Sequence, residues 1–271
     1  MSETWIREPR WRGQFYPPQA AALRREIERC LGDRRGDEPA RVLVAPHAGY
    51  IYSGAVAGAV YGKVHVESRV IVLCPNHTGY GERLSLWAQG TWRLPTGDVA
   101  VAEDLAARLR QAHPDIKADR RAHLEEHAVE VQLPFLLHRR PDVAIVPITL
   151  GMLPLSGCEA LGDAIARVIV EEDPPVQIVA STDMSHYIPA SEAKTQDKKA
   201  IDRILGIDPQ GLFETVEREE ITMCGFIPTT VALFAARRLH CSQAQLCRYG
   251  HSGETTEKLD SVVGYASLLI R

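Results

Sequence analysis

Five short apolar, β-branched runs punctuate the chain, at 41–45, 69–74, 143–149, 176–180 and 261–270. The first four are almost unbroken in apolar character. That pattern predicts strands buried on both faces, because a half-exposed strand alternates apolar with polar residues. Helix-period segments lie between them. Leu161, Ile165, Val168 and Ile169 fall at i, i+4, i+7 and i+8, on one face of a helix. Ile201, Ile204 and Leu205 repeat that spacing. The stretch 226–239 reads as an amphipathic helix whose start is marked by Pro228. Segments 85–88 and 91–101 predict an inserted hairpin. Strands alternating with helices predict the α/β class, with a mainly parallel central sheet and helices on both faces. No repeat or Pro/Gly/Ser-rich linker divides residues 1–271, so a single domain is expected.

Four of the strands run into polar turns. Segment 41–45 ends in Pro46-His47-Ala48-Gly49-Tyr50, and 69–74 in Pro75-Asn76-His77-Thr78-Gly79. Segment 143–149 ends in Leu150-Gly151, and 176–180 in Ser181-Thr182-Asp183-Met184-Ser185-His186. Open α/β sheets bind ligands at the carboxyl ends of their strands. Parallel strands would bring His47, His77 and His186 to one edge. A lone histidine there is most simply structural, and Asp183 and Ser185 are ordinary helix caps. Three imidazoles at one topological position point instead to a shared metal or catalytic site. In the first two turns proline stiffens the backbone that presents the imidazole, a rigidity that metal ligation requires.

Two histidines do not define a metal site, and a further ligand is needed. Cys224, just before the helix-like stretch at 226, is one candidate, since a thiol near a helix N-terminus ionises more readily. It reads equally as a buried apolar thiol. Glu219 or Glu220 could supply a carboxylate instead. His127, in Glu125-Glu126-His127-Ala128-Val129-Glu130, opens a helix-like segment, where charged residues also serve as caps. His65, His113, His138 and His240 lie in charged contexts and gain no role, and His251 is expected to stay outside a pocket.

Composition narrows the picture little further. The 271 residues are 45% apolar and 24% charged, and the formal net charge is −4. Nothing there favours nucleic acid or an anionic membrane as a partner. The six cysteines lack CxxC spacing, which suits free thiols in a reducing cytoplasm better than a disulfide framework. No apolar run reaches the length of a spanning helix, and the first residues are not expected to form a secretory signal.

The motifs PHAGYIYSG, PNHTGY, EEHAVE, DMSHY and MCG, in this order, resemble the Memo family, also known as AmmeMemoRadiSam system protein B. The resemblance runs from Arg10-Trp11-Arg12 and Phe15-Tyr16-Pro17 to the last strand. It implies a fold like that of the class III extradiol dioxygenases, which cleave catechol-type rings with non-haem iron(II). His47 and His77 match the two histidine ligands of those enzymes, and Cys224 stands where they carry a glutamate. His186 matches the histidine that moves protons beside the metal, and His127 looks like a second. Asp183 would orient His186, and Tyr50, Asn76 and Tyr187 would line the pocket or support it. Iron(II) is the metal so implied. The softer, oxidisable thiolate also suits copper(I). The resemblance thus implies an oxidoreductase using O₂ and a small organic substrate. Its alternative is a non-enzymatic protein binding metal or protein partners through a vestigial site. A third reading makes Cys224 a hydrolytic nucleophile with His186 as base, and leaves His47 and His77 without a task.

Overall fold

A computed structural model describes residues 5–271. Its strands are β1 (Ile6–Arg7), β2 (Val42–Ala45), β3 (Arg69–Pro75), β4 (Leu84–Leu86), β5 (Thr91–Leu94), β6 (Gly97–Val101), β7 (Lys117–Ala118), β8 (Ala144–Leu150), β9 (Val176–Ser181), β10 (His186–Ile188), β11 (Ala244–His251) and β12 (Val262–Ile270). The helices are α1 (Ala20–Leu31), α2 (Ala55–Tyr61), α3 (Glu103–Ala112), α4 (Arg121–Leu124), α5 (Leu133–Arg139), α6 (Leu155–Val170), α7 (Ala190–Leu205), α8 (Pro209–Arg218), α9 (Phe226–Arg238) and α10 (Gly253–Thr256).

The sheet runs β1-β5-β6-β8-β3-β9-β2-β12-β10, with β11 paired to β12 and β4 to β8. Its centre, β8-β3-β9-β2, is parallel throughout. The unbroken apolar runs follow from this placement, because both faces of these strands are covered. Val42, Val44, Ile71, Leu73, Val146 and Ile148 point into a core with α3, α6, α7, α8 and α9. Leu43, Ala45, Val70, Val72 and Cys74 point the other way, into a core with α1, α2 and α5. Each such Val or Leu contributes roughly 1.5–3 kcal/mol on burial, so side-chain alternation fixes the register of every central strand. Helix α1 buries Leu23, Ile27, Cys30 and Leu31 at helical spacing, and Gly32 ends it with φ 60°. Asp208 caps α8 by accepting the Gly211 N–H, and Pro209 follows as its first residue.

Two expectations differ from the structure. The hairpin is narrower than 85–101. It consists of β5 and β6 alone, while β4 pairs antiparallel with β8. Helix α9 is not amphipathic. Ile227, Pro228, Thr229, Thr230, Val231, Ala232, Leu233, Ala235 and Ala236 are all buried. It packs on the sheet between α6 and α8, so polarity could not mark an outer face.

Candidate metal centre

Three neighbouring parallel strands, β3, β9 and β2, end at one edge of the sheet. Their turns carry His77, Asp183 and His47. Two further segments complete the edge. The turn ahead of α9 brings Cys224, and the turn ahead of α5 brings His127. One ligand atom from each of His47, His77 and Cys224 lies within 4.8 Å of the other two. The Cys224 Sγ stands 3.3 Å from His47 Nε2.

Hydrogen bonding fixes which nitrogen each imidazole offers. Ser181 Oγ donates to the Ala128 carbonyl (2.9 Å) and accepts from Gln132 Nε2 (2.7 Å). Its remaining lone pair faces His47 Nδ1 at 2.9 Å, so Nδ1 carries the proton and Nε2 is left to bind. His77 is arranged in the same way. Its Nδ1–H donates to Glu126 Oε1 at 2.9 Å and its backbone N–H to Oε2 at 2.7 Å. Glu126 is fully buried, and Oε1 also accepts the backbone N–H groups of His127 (2.9 Å) and Ala128 (3.0 Å). Metal-binding histidines are commonly held through the far nitrogen in this manner. His77, Glu126 and His127 also cluster closely. There the carboxylate oxygen is filled by N–H donors, which makes it an orienting group.

Charge follows the same layout. Burial, reinforced by the charges of His127 and His77, holds His47 well below the ordinary imidazole range. Burial also opposes a proton on His77, but the Glu126 hydrogen bond and charge outweigh it and raise that group. Burial drives His127 down to about 4. Burial raises Asp183 to about 6, against the His47 N–H and the charges of His186 and His77. Cys224 is pushed up, first by burial and then by the Asp183 charge. A thiol so placed needs a cation to ionise, and a coordinated metal supplies one.

Asp183 differs from its expected task. Its Oδ1 accepts the backbone N–H of His47 at 2.8 Å, so it braces the His47 turn. Thr222 orients His186 instead. The Thr222 carbonyl takes His186 Nδ1–H at 2.8 Å and its hydroxyl takes the backbone N–H at 2.7 Å. Tyr50 does not line the cleft. Its phenol is buried and donates to the Val131 carbonyl at 2.7 Å, and Tyr52 stands at the wall. Asn76 shapes the His77 turn, its Oδ1 accepting from Thr78 and Gly79 N–H. Tyr187 is 78% exposed at the rim. Glu219 is drawn away into a pair with Lys199 at 2.8 Å. The sequence reading missed Ser181, Glu126, Gln132 and Thr222 as orienting groups, and Phe15, Tyr52 and Tyr265 as walls. The doubled glutamate beside His127 was the one local signal among them.

Above the donors lies an open cleft of about 650 Å³, lined by His47, His77, His127, Asp183, His186 and aromatic walls. Fold and edge together define a class: an α/β protein with a histidine–cysteine cluster at the carboxyl ends of parallel strands. The Memo-like protein family matches residues 7–269, and the chain belongs to that family. A MEMO1 family protein of Methanothermobacter thermautotrophicus is 38% identical, covering 97% of this chain and 99% of that one. One of Methanopyrus kandleri is also 38% identical, over 98% and 99%. One of Sulfolobus acidocaldarius is 36% identical, over 97% and 98%. A crystal structure of an uncharacterised Escherichia coli K12 protein shares the fold, with TM-score 0.60 and 14% identity. It covers 85% of this chain and 100% of that one.

Proposed function

We propose that this protein is a metal-dependent oxidoreductase that uses O₂ and a small organic substrate, with iron(II) held by His47, His77 and Cys224. One observation carries the reading: three donors converge within 4.8 Å, with the nitrogens not offered for binding tied to Ser181 and Glu126. Three protein donors leave coordination positions free, whereas structural sites are usually closed by four. Bound iron(II) would supply those open positions and a path for electrons from the organic substrate to O₂. The protein's own groups hold and move protons. His186 donates Nδ1–H to Thr222 and keeps Nε2 to accept a proton from substrate in the cleft. His127 is a second, neutral imidazole beside His77. Such acid–base groups typically contribute about 10²–10⁴-fold in rate. A cytoplasmic setting suits a thiolate ligand that must stay reduced.

Cysteine in place of a carboxylate favours a second reading, a non-enzymatic protein that binds a metal such as copper(I), or a protein partner, through a vestigial site. The hydrolase reading is disfavoured by the raised Cys224 thiol. The imidazole its sulfur contacts is His47, not the proposed base His186.

Anaerobic purification followed by metal analysis tests the proposal. One metal per chain is expected in wild type, and almost none in His77→Ala. Full metal content in that variant would overturn the ligand set. Oxygen uptake by the iron-loaded protein with catechol-type and other small organic compounds separates the readings. Iron binding without uptake on any of them would leave the second.

A further inference from the structure

The stretch 10–17 carries sequence motifs that the proposed chemistry does not use, yet it closes one side of the centre. Phe15 lines the cleft, its ring 4.5 Å from that of His127 and tilted by 31°. His127 also stacks on His77 at 4.7 Å and 21°, and meets His47 and Trp11 edge-on at 5.2 and 5.9 Å. His127 is therefore packed among four rings, of which Phe15 and His77 lie most nearly parallel to it. Its polar side-chain contact is Nδ1 to the adjoining Glu126, at 3.3 Å. Ring packing must supply the rest of its orientation.

Both sides of this stack are tied to one buried ion pair. Glu130 is 1% exposed and accepts the N–H of Arg10 (3.1 Å), the N–H of Trp11 (2.9 Å) and the Tyr16 hydroxyl (2.5 Å). That fixes the segment bearing Phe15. Glu130 pairs with Arg7 at 3.0 Å. Arg7 is 2% exposed and donates to the carbonyls of His123 (2.8 Å) and Glu126 (3.0 Å). That fixes the loop bearing His127. A third tie joins the Phe15 carbonyl to the Tyr50 N–H at 2.8 Å, next to the His47 turn. A buried pair of this kind is weak support for stability alone; here it joins the segment bearing Phe15 to the loop bearing His127.

We infer that Phe15 is a positioning residue for His127, and that the Arg7–Glu130 pair sets the distance between them. The inference rests on the proton-moving role given to His127, but the positioning itself can be measured without metal or turnover. The measurement is NMR of the histidine rings in the metal-free full chain, with the His127 signals assigned from His127→Gln. Wild type should give one narrow set of His127 ring signals with a nuclear Overhauser contact to His77. Phe15→Tyr keeps a ring in place and should match it. Phe15→Leu keeps bulk but not the stack, and should broaden the His127 signals and weaken the His77 contact. Signals of His186, held by Thr222, should stay put. Tyr16→Phe removes one bond to Glu130 and should broaden His127 less. Narrow His127 signals with the His77 contact intact in Phe15→Leu would overturn the inference and leave Phe15 a wall only. Should Phe15→Leu fail to fold, narrow, unchanged signals in Tyr16→Phe would overturn the tether. Metal content and oxygen uptake of wild type decide the proposed function separately, so the two failures cannot be confused.

Discussion

His123 and His127, four residues apart, are both pushed down to about 4 by burial, but their surroundings differ. His127 faces the cleft. His123 is fully buried, edge-on to both Trp87 and Trp92, with Nε2 near the Ser85 carbonyl and Nδ1 near Thr149 Oγ1, both at 3.2 Å. His123 should make the fold acid-sensitive. An unfolded imidazole takes a proton near pH 6.5, and the folded one resists until about 4. Between those values the unfolded chain binds more protons, so stability falls as pH drops from about 6.5 to about 4. Above that window both states are neutral and the effect vanishes. The span corresponds to about 3 kcal/mol. Urea midpoints of wild type and His123→Asn across this window test it, and the variant's pH slope should be shallower. Identical slopes would contradict it. His47 and His77 were legible because proline fuses each to a strand end. Their supports were not, since Ser181 lies 134 positions from His47 and Glu126 49 from His77. No local pattern encodes such pairings.

Among the elements, the turn into α9 decides how Cys224 meets β9. A Cβ on Gly225 would stand 2.4 Å from the Ser181 carbonyl oxygen and 2.5 Å from Thr182 Cβ. The Gly225 N–H also donates to Thr182 Oγ1 at 3.0 Å, and the Asp183 N–H donates to Cys224 Sγ at 3.2 Å. Gly225→Ala must therefore lift the turn from the strand end. Overpacking of this kind typically destabilises by about 1–3 kcal/mol. Metal affinity should fall by roughly 10–100-fold, the scale found when the supports of a ligand are disturbed. Titration with iron(II) under anaerobic conditions, beside a urea melt, measures both. Unchanged affinity would count against Cys224 as a ligand. The central strands were legible from their apolar runs, and α6 and α7 from helical spacing. The surroundings of α9 were not, because full burial erases the periodicity that reveals an exposed face. The position of β4 depended on pairing with β8, a partner far along the chain.

Across the molecule, a metal bound only by the folded state should raise its melting temperature. At a free concentration about a hundred times Kd the gain is about 2.7 kcal/mol. For a chain of this length that is roughly 5–10 °C. His186→Ala should keep the shift, because its imidazole is placed outside the ligand set, whereas His77→Ala should lose it. Calorimetry with and without iron(II) distinguishes them, and loss in His186→Ala would move that residue into the ligand set. Among the described residues no helix is long and apolar enough to cross a membrane. Strand β12 has a further consequence. It pairs with β2 through Val44 and Leu268, and it contributes Val263 and Tyr265 to the cleft. During synthesis β2 gains one neighbour, β9, well before its other neighbour, β12, exists. The His47 turn therefore gains its final support only once β12 has been made. Messages cut short before β12 would yield chains with the candidate donors but without the finished pocket.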